Sequence, residues 1–186
     1  MRCYLFFVIV HRYYAQIYCS NYAYCFFAGA NKGQGFALCQ RILTEQLDTH
    51  VFLCSRDVRR GEDAKKLLME ECGGGDSNRV DVVQLDVTDE KSVNAAKAMV
   101  ESKLGDGKLA GVISNAGILW GYPLPELIDV CATGVKRVLD AFVPLVEDDG
   151  RVIVVTSGLG PLMHSYSGKE RQSALKWTPA VPGTMP

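Results

Sequence analysis

The sequence predicts an α/β fold, a doubly wound parallel sheet in three layers (α/β/α). Two observations carry that expectation. Short apolar runs alternate with longer stretches of helical periodicity from about residue 22 to residue 156. The short runs show no polar face, as strands do when helices cover both sides of a parallel sheet. The 186 residues suit one domain of ordinary size, and 48% apolar with 22% charged residues is enough to bury a core.

Each element follows from its local pattern. Residues 22–27 form an apolar, aromatic strand that runs into Ala28-Gly29. Residues 36–47 place Phe36, Cys39, Leu43 and Leu47 at helical spacing. Residues 50–54 read as the next strand, and 57–72 as a helix with Ala64, Leu67 and Leu68 on one side and charges on the other. Glycines 73–75 end that helix. A strand over 80–85 precedes Thr88-Asp89-Glu90, acidic residues suited to a helix start, and that helix runs to about residue 104. A strand over 109–114, a helix over 127–146 and a Val- and Ile-rich strand over 151–156 complete the series. The division expected is an apolar N-terminal extension (1–20), an α/β domain (21–176) and a proline-containing irregular tail (177–186).

The extension begins with an apolar run from Cys3 to Val10, broken by His11-Arg12. It is shorter than the roughly 20 residues a spanning helix needs, so no stable membrane span is expected. An added strand, a targeting signal or a membrane-surface anchor remain open for it. The net charge of −1 gives no reason to expect a nucleic-acid partner. Seven cysteines, an odd number without a CxxC pair, point to neither zinc nor a disulfide framework. They read as small apolar residues in a reducing, cytoplasmic setting.

The segment Ala28-Gly29-Ala30-Asn31-Lys32-Gly33-Gln34-Gly35 lies between the first of these strands and its helix. Glycines there let the backbone turn sharply and approach a pyrophosphate, which the helix N-terminus attracts. Ser55-Arg56-Asp57 follows the second strand, where an arginine pairs with a 2′-phosphate and an acid would accept from a ribose hydroxyl. Arg56, with Arg60 and Lys32 near it, favours the phosphorylated cofactor, NADP(H), while Asp57 suits a helix cap.

These residues resemble the short-chain dehydrogenase/reductase family, more narrowly its carbonyl-reductase-like members, over roughly residues 24–172. The family's TGxxxGxG turn is matched from Ala28 to Gly35, with Ala28 in place of threonine. Leu85-Asp86-Val87-Thr88 is similar to the family segment whose aspartate meets the adenine ring. Asn115-Ala116-Gly117 is similar to the segment beside the adenosine ribose, and 150–157 to the strand that ends on the family's serine, here Ser157. The resemblance implies a Rossmann-like sheet and an oxidoreductase. Its cofactor-binding residues would be Gly29, Asn31, Lys32, Gly33, Gly35, Arg56, Arg60, Asp86, Asn115, Ala116 and Gly117. It further implies hydride transfer from NADP(H) to a small-molecule carbonyl substrate, with Ser157 orienting the oxygen and a tyrosine acting as acid.

The sequence departs from the family at its chemistry. The family's Tyr-x-x-x-Lys pair has one local counterpart, Tyr166, whose lysine, Lys169, comes one residue early. One position on a helix is a rotation of about 100°, so Lys169 does not substitute. A second alignment makes 166–172 an insertion and puts the pair past residue 186, leaving the sheet incomplete on its C-terminal side. Cys131 stands where the family has an asparagine, and the link from Asn115 to that helix is short. A non-catalytic nucleotide-binding remnant is therefore the alternative. A sheet ending at the 151–156 strand would expose an edge open to self-association.

Overall fold

The computed structural model describes residues 3–8, 23–72, 77–118 and 121–156. Six strands form one parallel sheet: β1 (Cys3–Val8), β2 (Ala23–Ala28), β3 (Thr49–Ser55), β4 (Val80–Gln84), β5 (Leu109–Ser114) and β6 (Val146–Thr156). Their order across the sheet is β1-β6-β5-β2-β3-β4. From β2 the chain steps outward to β3 and β4, then returns to β5 on β2's other side. The switch point therefore lies between the C-terminal ends of β2 and β5, where a doubly wound sheet opens a crevice.

Alternate residues of the strands feed two cores. Cys25, Phe27, Val51, Leu53 and Ile113 pack with Cys39, Ile42 and Leu43 of α1 (Gly33–Glu45) and with Ala64 and Leu68 of α2 (Val58–Glu71). Phe26, Phe52 and Val112 pack on the other face with Val93, Ala96 and Val100 of α3 (Glu90–Leu104). Val138 and Phe142 of α5 (Gly134–Phe142) join that second core, where Phe142 stacks on Phe26 with ring centroids 3.9 Å apart. With both faces covered, uninterrupted apolar runs are what the strands require.

The helices start and stop where local chemistry dictates. Asp57 caps α2, its carboxylate accepting from the amides of Arg59 (2.9 Å) and Arg60 (3.3 Å). Asp89 caps α3 by accepting from the Lys91 amide at 2.9 Å. The expected helix over 127–146 is corrected at both ends. It starts earlier, as α4 (Leu124–Ile128), with Pro125 in the first turn, where a missing N–H is harmless. It continues through a π turn (Asp129–Thr133) into α5. Pro144 lies in the 3₁₀ turn Val143–Leu145 that follows, and Val146 already opens β6.

Between Val146, which pairs with Leu109, and Arg151, which pairs with Gly111, the residues of β6 bulge outward, so Asp148 and Asp149 reach solvent. The edge expected to lie open beyond 151–156 is also corrected. β1 pairs with β6 in parallel from Cys3↔Arg151 to Val8↔Thr156, leaving β1 and β4 as the sheet's outermost strands. Among the described residues no helix is long and apolar enough to cross a membrane. Cys25, Cys39 and Cys54 are buried in the cores outside any disulfide, as small apolar residues.

Candidate functional site

Three loops meet at the crevice. The first follows β2. Its amide at Ala30 donates to the Cys54 carbonyl at 3.0 Å, which turns the chain across the end of β3. Gly29 has φ +75°, and a Cβ there would lie 2.6 Å from the Ala116 Cα, so the position needs glycine for conformation and for space. A Cβ on Gly35 would come within 2.3 Å of the Gly29 carbonyl oxygen and 2.6 Å of Asn115 Nδ2. Gly33 has φ +60° and open space beside it.

Lys32, in extended backbone, is the N-cap of α1 and offers no side-chain cap. The first amides of α1 thus point into the crevice without the carboxylate that α2 and α3 receive. The Lys32 side chain is exposed.

The second loop follows β5. The Asn115 amide N–H donates to the Ala28 carbonyl at 3.1 Å, and its side-chain Nδ2 donates to the Gly29 carbonyl at 2.7 Å. One asparagine thereby fastens the glycine turn to the neighbouring strand end across the switch point. Ala116 and Gly117 follow, with Gly117 exposed.

The third loop follows β4. Asp86 Oδ1 accepts from the Thr88 amide at 2.9 Å and from the Thr88 hydroxyl at 2.6 Å, while the Asp86 amide donates to Ser92 Oγ at 2.9 Å. Partial burial pushes the Asp86 carboxyl up. The two Thr88 bonds and the positive charge of Arg56 outweigh that and hold it below the usual carboxylate range. Asp86 is thus a fixed anion at the crevice rim.

Arg56 is exposed at the end of β3, close enough to influence Asp86. Arg60 Nε lies 3.7 Å from Asp57, an exposed pair within the same helix start. The structure therefore joins Gly29, Gly35, Asn115 and Ala116 at the switch point, with Lys32 and Gly33 at the start of α1, and sets Arg56 near Asp86 at the ends of β3 and β4, with Arg60 one turn into α2. Ser157, Tyr166 and Lys169 lie outside the described residues.

Two features were not anticipated. Cys131 is exposed in the π turn, and its thiol donates to the Ile118 carbonyl at 3.4 Å, a tie to the loop after β5. Arg137 on α5 reaches the Val87 carbonyl at 3.2 Å and Asp129 Oδ1 at 2.8 Å. The one sequence signal for this second contact is a glycine inside a helix, Gly134, whose missing side chain admits Val87.

The comparisons agree with this geometry. The family model for the short chain dehydrogenases matches residues 24–170. Carbonyl reductase (NADPH) 1 of Sus scrofa is 32% identical over 165 residues, which cover 84% of this chain and 54% of that protein. The (+)-neomenthol dehydrogenase of Arabidopsis thaliana is 30% identical over 165 residues, covering 75% of this chain and 55% of that protein. The chain thus spans about half the length of these relatives. Among solved structures, an NADPH-bound carbonyl reductase from chicken fatty liver superposes with a TM-score of 0.57 at 26% identity, over 68% of this chain and 52% of that one. The menthone neomenthol reductase of Mentha piperita gives 0.67 at 24% identity, over 84% and 72%, and carries the likeness of fold.

Proposed function

The chain belongs to the short-chain dehydrogenase family, and on that premise we propose that it binds NADP(H) in the β2/β5 crevice as part of an oxidoreductase acting on a small-molecule carbonyl compound. The observation that carries the reading is the uncapped N-terminus of α1 beside a glycine cradle at the switch point. Backbone amides with no side-chain acceptor, next to Gly29 and Gly35, where a Cβ has no room, fit a pyrophosphate. Gly29, Gly33 and Gly35 would border it, with Asn31 and Lys32 alongside.

The rest of the pocket fits the other parts of the dinucleotide. Arg56 and Lys32, both exposed, would meet a 2′-phosphate, with Arg60 shared with Asp57. Asp86, held as an anion, would accept from the adenine amino group. Asn115, Ala116 and Gly117 would flank the adenosine ribose. When bound, the cofactor supplies the hydride. The described residues bind and orient. Ser157 is proposed to orient the substrate oxygen, and Tyr166, whose lysine comes one residue early, is the weaker candidate for the acid. The free buried thiols accord with a reducing compartment such as the cytoplasm.

A second reading, binding without turnover, is favoured by one observation. At Cys131 a thiol stands where the resemblance implies an amide, and it is engaged by the Ile118 carbonyl. Calorimetric titration of NADPH and NADH into the intact chain and into Arg56→Ala tests the first reading. A charge-assisted arginine–phosphate contact is worth about 1.5–3 kcal/mol, so NADPH affinity should fall roughly 10- to 150-fold while NADH affinity stays within about twofold. Equal losses for both cofactors, or no binding by the intact chain, would refute it. Tight NADPH binding without NADPH oxidation on simple aldehydes and ketones would select the second reading.

A further inference from the structure

We propose that Arg137 is a positioning residue for the adenine side of the crevice, although it lies on a helix remote from the glycine turn. The proposal rests on the NADP(H) reading above for its ligand and on hydrogen bonds for its geometry. Arg137 is partly buried on α5, with 29% of its side chain exposed. One terminal nitrogen, Nη1, donates both to the Val87 carbonyl and to Asp129 Oδ1.

Val87 sits between Asp86 and Thr88, whose side chains are bonded to each other. Holding its carbonyl therefore holds the plane of the peptide that follows Val87, and with it the Thr88 amide that Asp86 accepts from. Gly134, one turn before Arg137, lets α5 close on the same segment. A Cβ there would stand 2.8 Å from Val87 Cγ2 and 3.0 Å from the Val87 carbonyl oxygen.

The other end of the clamp reaches the neighbouring loop. Asp129 opens the π turn, and Cys131, two residues on, donates to Ile118 in the loop after β5. A continuous path therefore runs from the Asp86 loop through Arg137, Asp129 and Cys131 to the loop carrying Asn115. Nη1 of Arg137 is the side-chain joint of this path, bonded to Val87 on one side and to Asp129 on the other. A helix that faces solvent on its outer side thereby sets the spacing of two nucleotide-binding loops.

The test separates the joint from the ligand. Hydrogen exchange on the nucleotide-free chain reads the joint. In Arg137→Ala the amides of residues 86–89 should exchange about tenfold faster, with α1 and β2 unchanged. Calorimetry with adenosine 2′,5′-bisphosphate reads the consequence, a roughly tenfold loss of affinity, while nicotinamide mononucleotide is unaffected. Arg137→Lys, which reaches one partner but not both, should fall between. Gly134→Ala, which improves helix propensity but pushes on Val87, should loosen residues 86–89 without touching Arg137. It also covers the case in which Arg137→Ala fails to fold.

Unchanged exchange at residues 86–89 in Arg137→Ala and Gly134→Ala overturns the proposal whatever the cofactor does. So does a lowered unfolding midpoint with unaltered affinity for the bisphosphate. No binding of the bisphosphate by the intact chain overturns the cofactor reading, and with it the functional half of the proposal. The exchange result then still decides whether Arg137 holds the loop.

Discussion

Replacing Gly35 by alanine is the sharpest test of how the crevice is built. The added Cβ would sit 2.3 Å from the Gly29 carbonyl oxygen and 2.6 Å from Asn115 Nδ2, the two atoms joined by a 2.7 Å hydrogen bond. Gly35 is buried and has no positive φ, so backbone strain contributes nothing. Alanine even gains up to about 1 kcal/mol of helix propensity in α1. Against that gain stand about 1–3 kcal/mol for a side-chain amide that loses its acceptor and about 1–3 kcal/mol for overpacking. The net is a destabilisation of about 1–5 kcal/mol. For a chain of this length that lowers Tm by roughly 2–20 °C.

Thermal unfolding followed by circular dichroism reads this directly. A double-mutant cycle with Asn115→Ala reads the cause. If the damage runs through the Asn115 bond, the second substitution should cost about 1 kcal/mol less in the Gly35→Ala background than alone. Gly33→Ala is the contrast. Its φ of +60° predicts a penalty of about 1–2 kcal/mol, yet with nothing within 4 Å of the new Cβ it should show no coupling to Asn115. An unchanged or raised Tm in Gly35→Ala, or a strictly additive cycle, would refute the reasoning.

Two further outcomes follow from features away from the crevice. His50 is buried on β3 beside Tyr24 and Phe52, with Nε2 3.0 Å from Asp81. Desolvation lowers its pKa, Asp81 opposes that, and Lys103 and Lys65 add to it. The unfolded chain therefore takes up the proton first, so stability is whole above about pH 6.5 and falls as pH drops below it. The slope should reach at most about 1.4 kcal/mol per pH unit in urea unfolding between pH 5 and 7, and flatten in His50→Gln. Identical slopes would count against the assignment. Deleting residues 1–10 strips β6 of its partner along the whole Cys3–Val8 register. Tm should fall by about 5 °C or more, and sedimentation should show association that grows with concentration. A shortened chain that is monomeric and equally stable would refute that role for β1.

What was legible in the sequence was what local chemistry determines. The apolar run over 109–114 predicts a strand, and β5 occupies the same residues. Asp57 was read as a cap and is one, since an acid ahead of a helix is a local signal. The helix drawn over 127–146 went too far because Val143, Leu145 and Val146 keep helical spacing, while Pro144 and the acidic bulge after Val146 decide otherwise. The Arg137–Val87 bond joins positions fifty residues apart, and the glycine at 134 is the one local hint of it. The apolar run at 3–10 was ambiguous because a strand at a sheet edge, a signal and a surface anchor draw on the same residue types. Its pairing with β6 is a long-range choice.

The bonds that hold the crevice together argue that nucleotide binding and chemistry are separable in this chain. Asn115 ties the glycine turn to the end of β5, Thr88 and Ser92 fix Asp86, and Arg137 and Cys131 join the two remaining loops. Every one of these bonds runs between residues 29 and 137. These bonds tie the loops of the crevice to one another, so the described part of the site carries its own internal support. Substitutions at Asn115 or Arg137 should therefore change cofactor affinity, whereas substitutions at Ser157 or Tyr166 should leave NADPH binding intact and alter turnover alone. The same logic explains how a cysteine can stand at position 131. The fold needs a donor to the Ile118 carbonyl there, and a thiol provides it, whereas any relay that needs an amide would require more than one bond.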